Sequence, residues 1–163
     1  MTMELQTRRL VLRPWTDGDA ENYSALTAER DNGGLSVETA RERIATHRAS
    51  AERNGIALLT VRRRAEGDFI GYCGLIIGRA SLDEPEIAYE LFRRVHGHGY
   101  ATEAAASVVE AAAATGRTRL WSTVGSWNAP SLRVLDKLGF HRDHVNPDQD
   151  GHGEVVWLTR ALP

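Results

Sequence analysis

Apolar and polar positions change their period several times along the chain, and each change marks a new element. Residues 7–15 alternate Leu10 and Leu12 with Val11 and Arg13 and stop at Pro14, which predicts an opening strand ending in a turn. Thr16 or Asp17 then caps a helix over 17–28, with acidic residues in its first turn and a break at Asp31-Asn32-Gly33-Gly34. A second helix starts near Ser36, carries Val37, Ala40, Ile44 and Ala45 near helical spacing, and ends at Asn54-Gly55. From residue 56 the period becomes that of strands. Stretches 56–63 and 69–77 flank a hairpin turn at 65–68, and a third strand covers 85–92; connections this short predict an antiparallel meander. Residues 100–115 are Ala-rich with Val108 and Val109 and no interior Gly or Pro, a helix closed by Gly116. A strand over 119–124 follows, then a helix over 129–138 with Pro130 in its first turn and Gly139 as its stop. Strands 140–145 and 154–162 close the chain around a turn-rich segment. The order β-α-α-β-β-β-α-β-α-β-β predicts a single α/β (α+β) domain over 7–163, a mixed and mostly antiparallel seven-stranded sheet flanked by about four helices.

One junction carries candidate chemistry. Arg94-Val95-His96-Gly97-His98-Gly99-Tyr100-Ala101 lies between a predicted strand and the start of the Ala-rich helix. Gly97 and Gly99 remove Cβ atoms where a ligand could approach the backbone, and the first-turn N–H groups have no intrahelical partners. With the helix dipole they make a site for phosphate or pyrophosphate, although glycine is also the ordinary residue of a strand-to-helix turn. No Gly-Lys-Ser/Thr and no three-glycine dinucleotide spacing is present, which disfavours kinases and dehydrogenases.

Composition narrows the functional classes. The 163 residues, 42% hydrophobic, suffice for one core, and 20 Lys+Arg against 22 Asp+Glu leave a net charge of -2, which argues against a nucleic-acid or membrane-surface partner. An anionic ligand must then be captured locally. Lys137 is the sole lysine, which reads as a compositional trait without functional weight. Cys73 stands alone, so neither an intramolecular disulfide nor a multi-Cys metal site is expected, and it reads as a small buried strand residue. His96, His98, His141, His144 and His152 lack Cys partners or a helical His-x-x-x-His pair, so no metal is expected. No apolar run reaches the roughly 20 residues that span a bilayer, and residues 1–10 lack the apolar segment of a signal peptide; a cytoplasmic monomer or homodimer is the expectation.

Three separated motifs carry a resemblance. Pro85-Glu86-Ile87-Ala88-Tyr89-Glu90-Leu91, then Arg94-x-x-Gly97-x-Gly99-Tyr100-Ala101-Thr102-Glu103-Ala104, then Asn128-x-x-Ser131-x-Arg133-Val134-Leu135-x-Lys137-Leu138-Gly139-Phe140 resemble the GNAT acetyltransferase superfamily. With the opening Thr7-x-Arg9-Leu10-x-Leu12-Arg13-Pro14, the match is similar to the RimJ/RimL-like branch of ribosomal-protein N-terminal acetyltransferases and covers essentially the whole chain. The resemblance implies an acetyl-CoA-dependent N-acetyltransferase acting on a primary amine, either a protein N-terminus or a small molecule. It implies that Arg94, Val95, His96, Gly97, His98 and Gly99, with Tyr100 and Ala101, hold the pyrophosphate of acetyl-CoA. It further implies that Leu91, Phe92 and Arg93 pair with the pantetheine arm and that a bulge parts that strand from the next.

For the chemistry, the resemblance implies Glu86 as the group that takes the amine's proton through water, with Glu90, on the same strand face, in reserve. Either carboxylate could equally be a solvated or ion-paired strand residue. Many family members place a tyrosine seven residues after the motif asparagine, where this chain has Leu135; Ser131 is implied as the donor to the leaving sulfur. Asn128 could contact the cofactor arm, cap its helix, or do both. A backbone N–H near Leu91 would hold the oxyanion. The acceptor is expected between 22–53 and 146–152, where His144 or His152 could line its pocket. A non-catalytic acyl-CoA-binding module remains the alternative.

Overall fold

The computed structural model describes residues 4–30, 33–147, 151 and 153–163. Their elements are β1 (Leu5–Gln6), β2 (Leu10–Arg13), α1 (Ala20–Thr27), α2 (Val37–Asn54), β3 (Leu58–Arg63), β4 (Phe69–Ile76), β5 (Glu86–Leu91), α3 (Tyr100–Ala114), β6 (Arg119–Gly125), α4 (Ala129–Lys137), β7 (His141–Asn146) and β8 (Val155–Ala161). The expected seven strands are eight. The additional one, β1, folds back on β2 with Leu5 opposite Leu12, and two residues are too short to display a strand period. The start of the first expected helix is a short 3-10 turn, Asp17–Asp19, in which Asp19 accepts from the Thr16 N–H at 2.8 Å.

All eight strands form one sheet in the order β1-β2-β3-β4-β5-β6-β8-β7, antiparallel at every join except β5 with β6. Alternation sorts its faces. Glu90 of β5 meets Arg30 just after α1, whereas its neighbour Tyr89 meets Ser131 of α4, so α1 and α4 cover opposite faces. On the α4 side, α3 lies against β4 and β5 with a buried stripe of Ala104, Ala105, Val108, Val109 and Ala112; its alanines let the helix approach closely. The N-terminal half of the sheet is wrapped on both faces, as the almost continuous burial of β4 shows, whereas β6 alternates buried and half-buried positions. Glu103, in the first turn of α3, anchors the chain's beginning to this layer by accepting from Thr7 Oγ1 at 2.5 Å, Arg9 N at 2.9 Å and Arg9 Nε at 2.7 Å.

Candidate active site

The one parallel join decides where a site can form. β5 and β6 share a single paired rung, Glu86 opposite Trp121, supported by the Trp121 N–H on Pro85 O (3.0 Å) and Ser122 Oγ on Ile87 O (3.2 Å). Beyond Ile87 the strands part. Phe92 N–H donates to Ile70 O at 2.9 Å, so the Gly71–Leu91 pair is of the non-hydrogen-bonded kind, and Tyr89 and Leu91 turn their backbone groups away from β4 into the gap. The expected parting is therefore present, and it follows from lost pairing on the β6 side, with no register shift between β4 and β5. Of the two backbone groups that Leu91 presents there, the carbonyl accepts from His96 Nε2 at 2.9 Å. Its N–H is left facing the gap.

A cleft of about 900 Å³ opens there, between β5, the loop after it and α4. Gly97 (φ 83°) and Gly99 (φ 79°) both adopt the left-handed region, which a side chain disfavours, and Gly99 is the N-cap of α3. The first intrahelical bond is Glu103 N–H to Gly99 O at 3.0 Å, so the N–H groups of Tyr100, Ala101 and Thr102 have no acceptor within the helix. All three residues line the cleft. Four cations join them: Arg30, Arg93, and Arg133 and Lys137 one turn apart on α4. Neither of the last two is ion-paired among the described residues, so Lys137 gains a place that its rarity in the composition did not suggest.

The expected site residues divide unequally. Glu90, Leu91, Arg93, Val95, His96, Gly97, Gly99, Tyr100, Ala101, Asn128 and Ser131 line the cleft, whereas Phe92, Arg94, His98 and Glu86 do not. Phe92 is buried edge-on against Phe69 at 6.2 Å. Arg94 turns to Asp68 (3.2 Å) and stacks over Phe92. Glu86, 4% exposed, accepts from the Arg79 N–H and from Thr123 Oγ1, each at 2.5 Å. It thereby ties the β4–β5 loop to β6 at the last closed rung. Glu90 faces the cleft and is gripped by Arg30 through Nε (2.9 Å) and Nη2 (2.5 Å), which holds the guanidinium firmly protonated.

At the other wall, Asn128 Oδ1 accepts the Ser131 N–H at 3.3 Å, the capping bond expected of it. Ser131 Oγ sits 3.0 Å from the Tyr89 hydroxyl. Nothing in the sequence gives Tyr89 a role: strand alternation separates it from Glu86 and Glu90, and only the tertiary fold brings it to α4. Burial pushes its phenol up to about 12. Leu135, which stands where many family members carry a tyrosine, is wholly buried. His144 stacks on Trp157 at 5.1 Å beside Asp143 and does not line the cleft; His152 lies outside the described residues. Cys73 is buried, and burial pushes its thiol up, which keeps it inert. Among the described residues no helix is long and apolar enough to cross a membrane.

The arrangement can receive an extended anionic ligand. Phosphates fit the glycine loop, the α3 N-terminus and the cations, and an amide-bearing arm fits the free Leu91 N–H. Comparison with known proteins agrees with this geometry. Residues 9–141 match the family model described as an acetyltransferase (GNAT) domain. The chain is 33% identical to the uncharacterized N-acetyltransferase YoaA of Bacillus subtilis (strain 168), over 86% of this chain and 84% of that protein. Among solved structures, an acetyltransferase from Agrobacterium tumefaciens str. C58 superposes with a TM-score of 0.81 at 25% identity, covering 98% of this chain and 95% of that one. RimJ of Mycobacterium smegmatis, solved in complex with CoA-disulfide, shares the fold at 20% identity and a TM-score of 0.77, over 93% and 81% of the respective chains. On the family match and the parted sheet together, this chain belongs to the GNAT acetyltransferase family.

Proposed function

We propose that the protein is an acetyl-CoA-dependent N-acetyltransferase that transfers the acetyl group to a primary amine, a protein N-terminus or a small molecule, by direct attack on the thioester. The observation that carries this reading is the gap beside Leu91, whose unpaired N–H opens on the same cleft as the glycine loop at the start of α3. Acetyl-CoA fills both needs, with pyrophosphate at Gly97, Gly99 and the first-turn N–H groups, and pantetheine along β5. The bound RimJ neighbour supports CoA as the ligand.

Within the cleft, Glu90 is the carboxylate placed to receive the amine's proton, directly or through water, and Ser131 is the hydroxyl placed to donate to the departing sulfur. Glu86 serves instead to pin the strands where the gap begins. An α-amine, with an ordinary pKa of about 8, is partly neutral near pH 7, and Glu90 takes up the proton it releases as the C–N bond forms. The same base would do less for a lysine-like amine. Glu29 and Arg30 line the cleft on the α1 side of the sheet, which supports entry of the acceptor from that side. Release of CoA thiol from acetyl-CoA, measured over amines that include N-terminal peptides and aminoglycosides, tests the reading. Turnover with at least one amine supports it. Calorimetric CoA binding without turnover on any amine would favour a binding module, and absence of CoA binding would sink both.

A further inference from the structure

We propose that Tyr89 is a positioning residue that sets the direction of the Ser131 hydroxyl, so that the serine proton points at the leaving sulfur. This rests on the acetyl-transfer reading above. Tyr89 projects from the open end of β5 to the first turn of α4, and its oxygen lies 3.0 Å from Ser131 Oγ and 3.2 Å from Ser131 O. It is the group that joins the two walls of the cleft at the serine.

A phenol has one proton and a serine hydroxyl has one, so the pair has two arrangements. In the first, Tyr89 donates to the Ser131 carbonyl and accepts from Ser131 Oγ, which turns the serine proton away from the cleft. In the second, Tyr89 donates to Ser131 Oγ, and the serine proton is free to point into the cleft. The Ser131 carbonyl does not need the phenol, because Leu135 N–H, four residues on in α4, is its helical donor. Nor can the serine turn with its backbone, since Asn128 holds the Ser131 N–H. A thiolate only accepts hydrogen bonds, so a ligand sulfur beside Ser131 selects the second arrangement, and the Tyr89 bond then polarises the serine O–H. Burial keeps the phenol protonated throughout the physiological range.

No proton is lost from either hydroxyl in this step. The C–N bond forms as the C–S bond breaks, the amine's proton leaves through Glu90 or water, and CoA departs as a thiolate that takes its proton from solvent. Ser131 supplies a hydrogen bond to the charge that develops on sulfur, and Tyr89, donating to Ser131 Oγ, strengthens that bond.

The test uses the full chain with CoA and acetyl-CoA in four forms: wild type, Tyr89→Phe, Ser131→Ala and the double variant. Calorimetry gives CoA binding, the ultraviolet absorbance of the thiolate gives the pKa of bound CoA, and steady-state rates give kcat and KM. Tyr89→Phe should leave the KM for acetyl-CoA nearly unchanged, lower kcat about tenfold, the upper range for one neutral hydrogen bond, and raise the pKa of the bound thiol. The double variant should be no slower than Ser131→Ala, because the two side chains act as one unit. Losses that multiply in the double variant would overturn the proposal. So would an unchanged kcat and an unchanged thiol pKa in Tyr89→Phe that still binds CoA. Should Tyr89→Phe melt early, the bound-thiol pKa of Ser131→Ala decides: a value equal to wild type would remove the serine, and with it the role of Tyr89. Failure of the wild type to bind CoA would overturn the acetyl-transfer reading itself, and this inference with it.

Discussion

The two ends of β5, a strand of six residues, behave as different materials. At Glu86 the strand is paired on both sides, and its buried carboxylate accepts from the Arg79 N–H and Thr123 Oγ1. At Leu91 it is paired on one side only, and the other side presents a backbone N–H to a cleft. Closing a ladder satisfies the backbone and stabilises the fold; leaving it open at a point flanked by closed pairs gives a rigid edge that a ligand can complete. Glu86 and Glu90 share this strand and one of its faces, yet the closed end makes the first a fastener and the open end makes the second available.

The largest expected effect breaks the open end. Glu90→Gln should lower kcat about 100-fold, the lower range for loss of a positioned acid or base, with little change in melting temperature, because its pair with Arg30 is partly exposed. Turnover that survives Glu90→Gln would return the proton-accepting role to water or another group. Next comes the loop that continues β5. Gly99→Val forces a β-branched residue into a φ of 79° at the α3 N-terminus, and strain of about 1–3 kcal/mol should weaken CoA affinity by up to about 100-fold, read by calorimetry.

The closed end should respond in stability instead. Glu86→Ala leaves Thr123 Oγ1 and the Arg79 N–H without their acceptor, at about 1–3 kcal/mol each, and should depress the melting temperature by several degrees. Glu86→Gln, which keeps one acceptor, should recover part of that and retain turnover. A stable Glu86→Gln protein without activity would erase the contrast between the two carboxylates.

The smallest effect lies away from β5. Burial pulls His47, stacked on Trp15 at 5.5 Å, down to about 4. Its folded pKa lies below its unfolded value near 6.5, so the unfolded chain binds the extra proton between those values, and stability should fall as pH drops from about 6.5 to 4. His47→Gln should flatten that slope in melting curves.

Much of the architecture is legible from pattern alone. The Ser36 cap and the Gly55 stop of α2, in the left-handed region at φ 72°, lie where the sequence places them, and Asn128 caps α4 as its motif suggests. These are local events, decided by residues within a few positions of each other. β1 escaped because two residues have no period, and the Asp17–Asp19 turn because a 3-10 start looks like a helix start in sequence. The site is legible only in part. The glycine loop could be read because φ demands glycine there, whereas Tyr89 and Lys137 carry no local signal of their place.

By itself, therefore, the sequence determined the order of elements, the residues that cap and stop them, and the glycine loop at a helix start, all of which depend on short-range sterics and backbone donors. The tertiary structure decided which strand edge stays open, which of two carboxylates on one face reaches the cleft, and which hydroxyls meet across it. Those depend on pairings between β5, β6 and α4, about 30 to 50 residues apart in the chain, and strand alternation can sort faces without saying what lies opposite them.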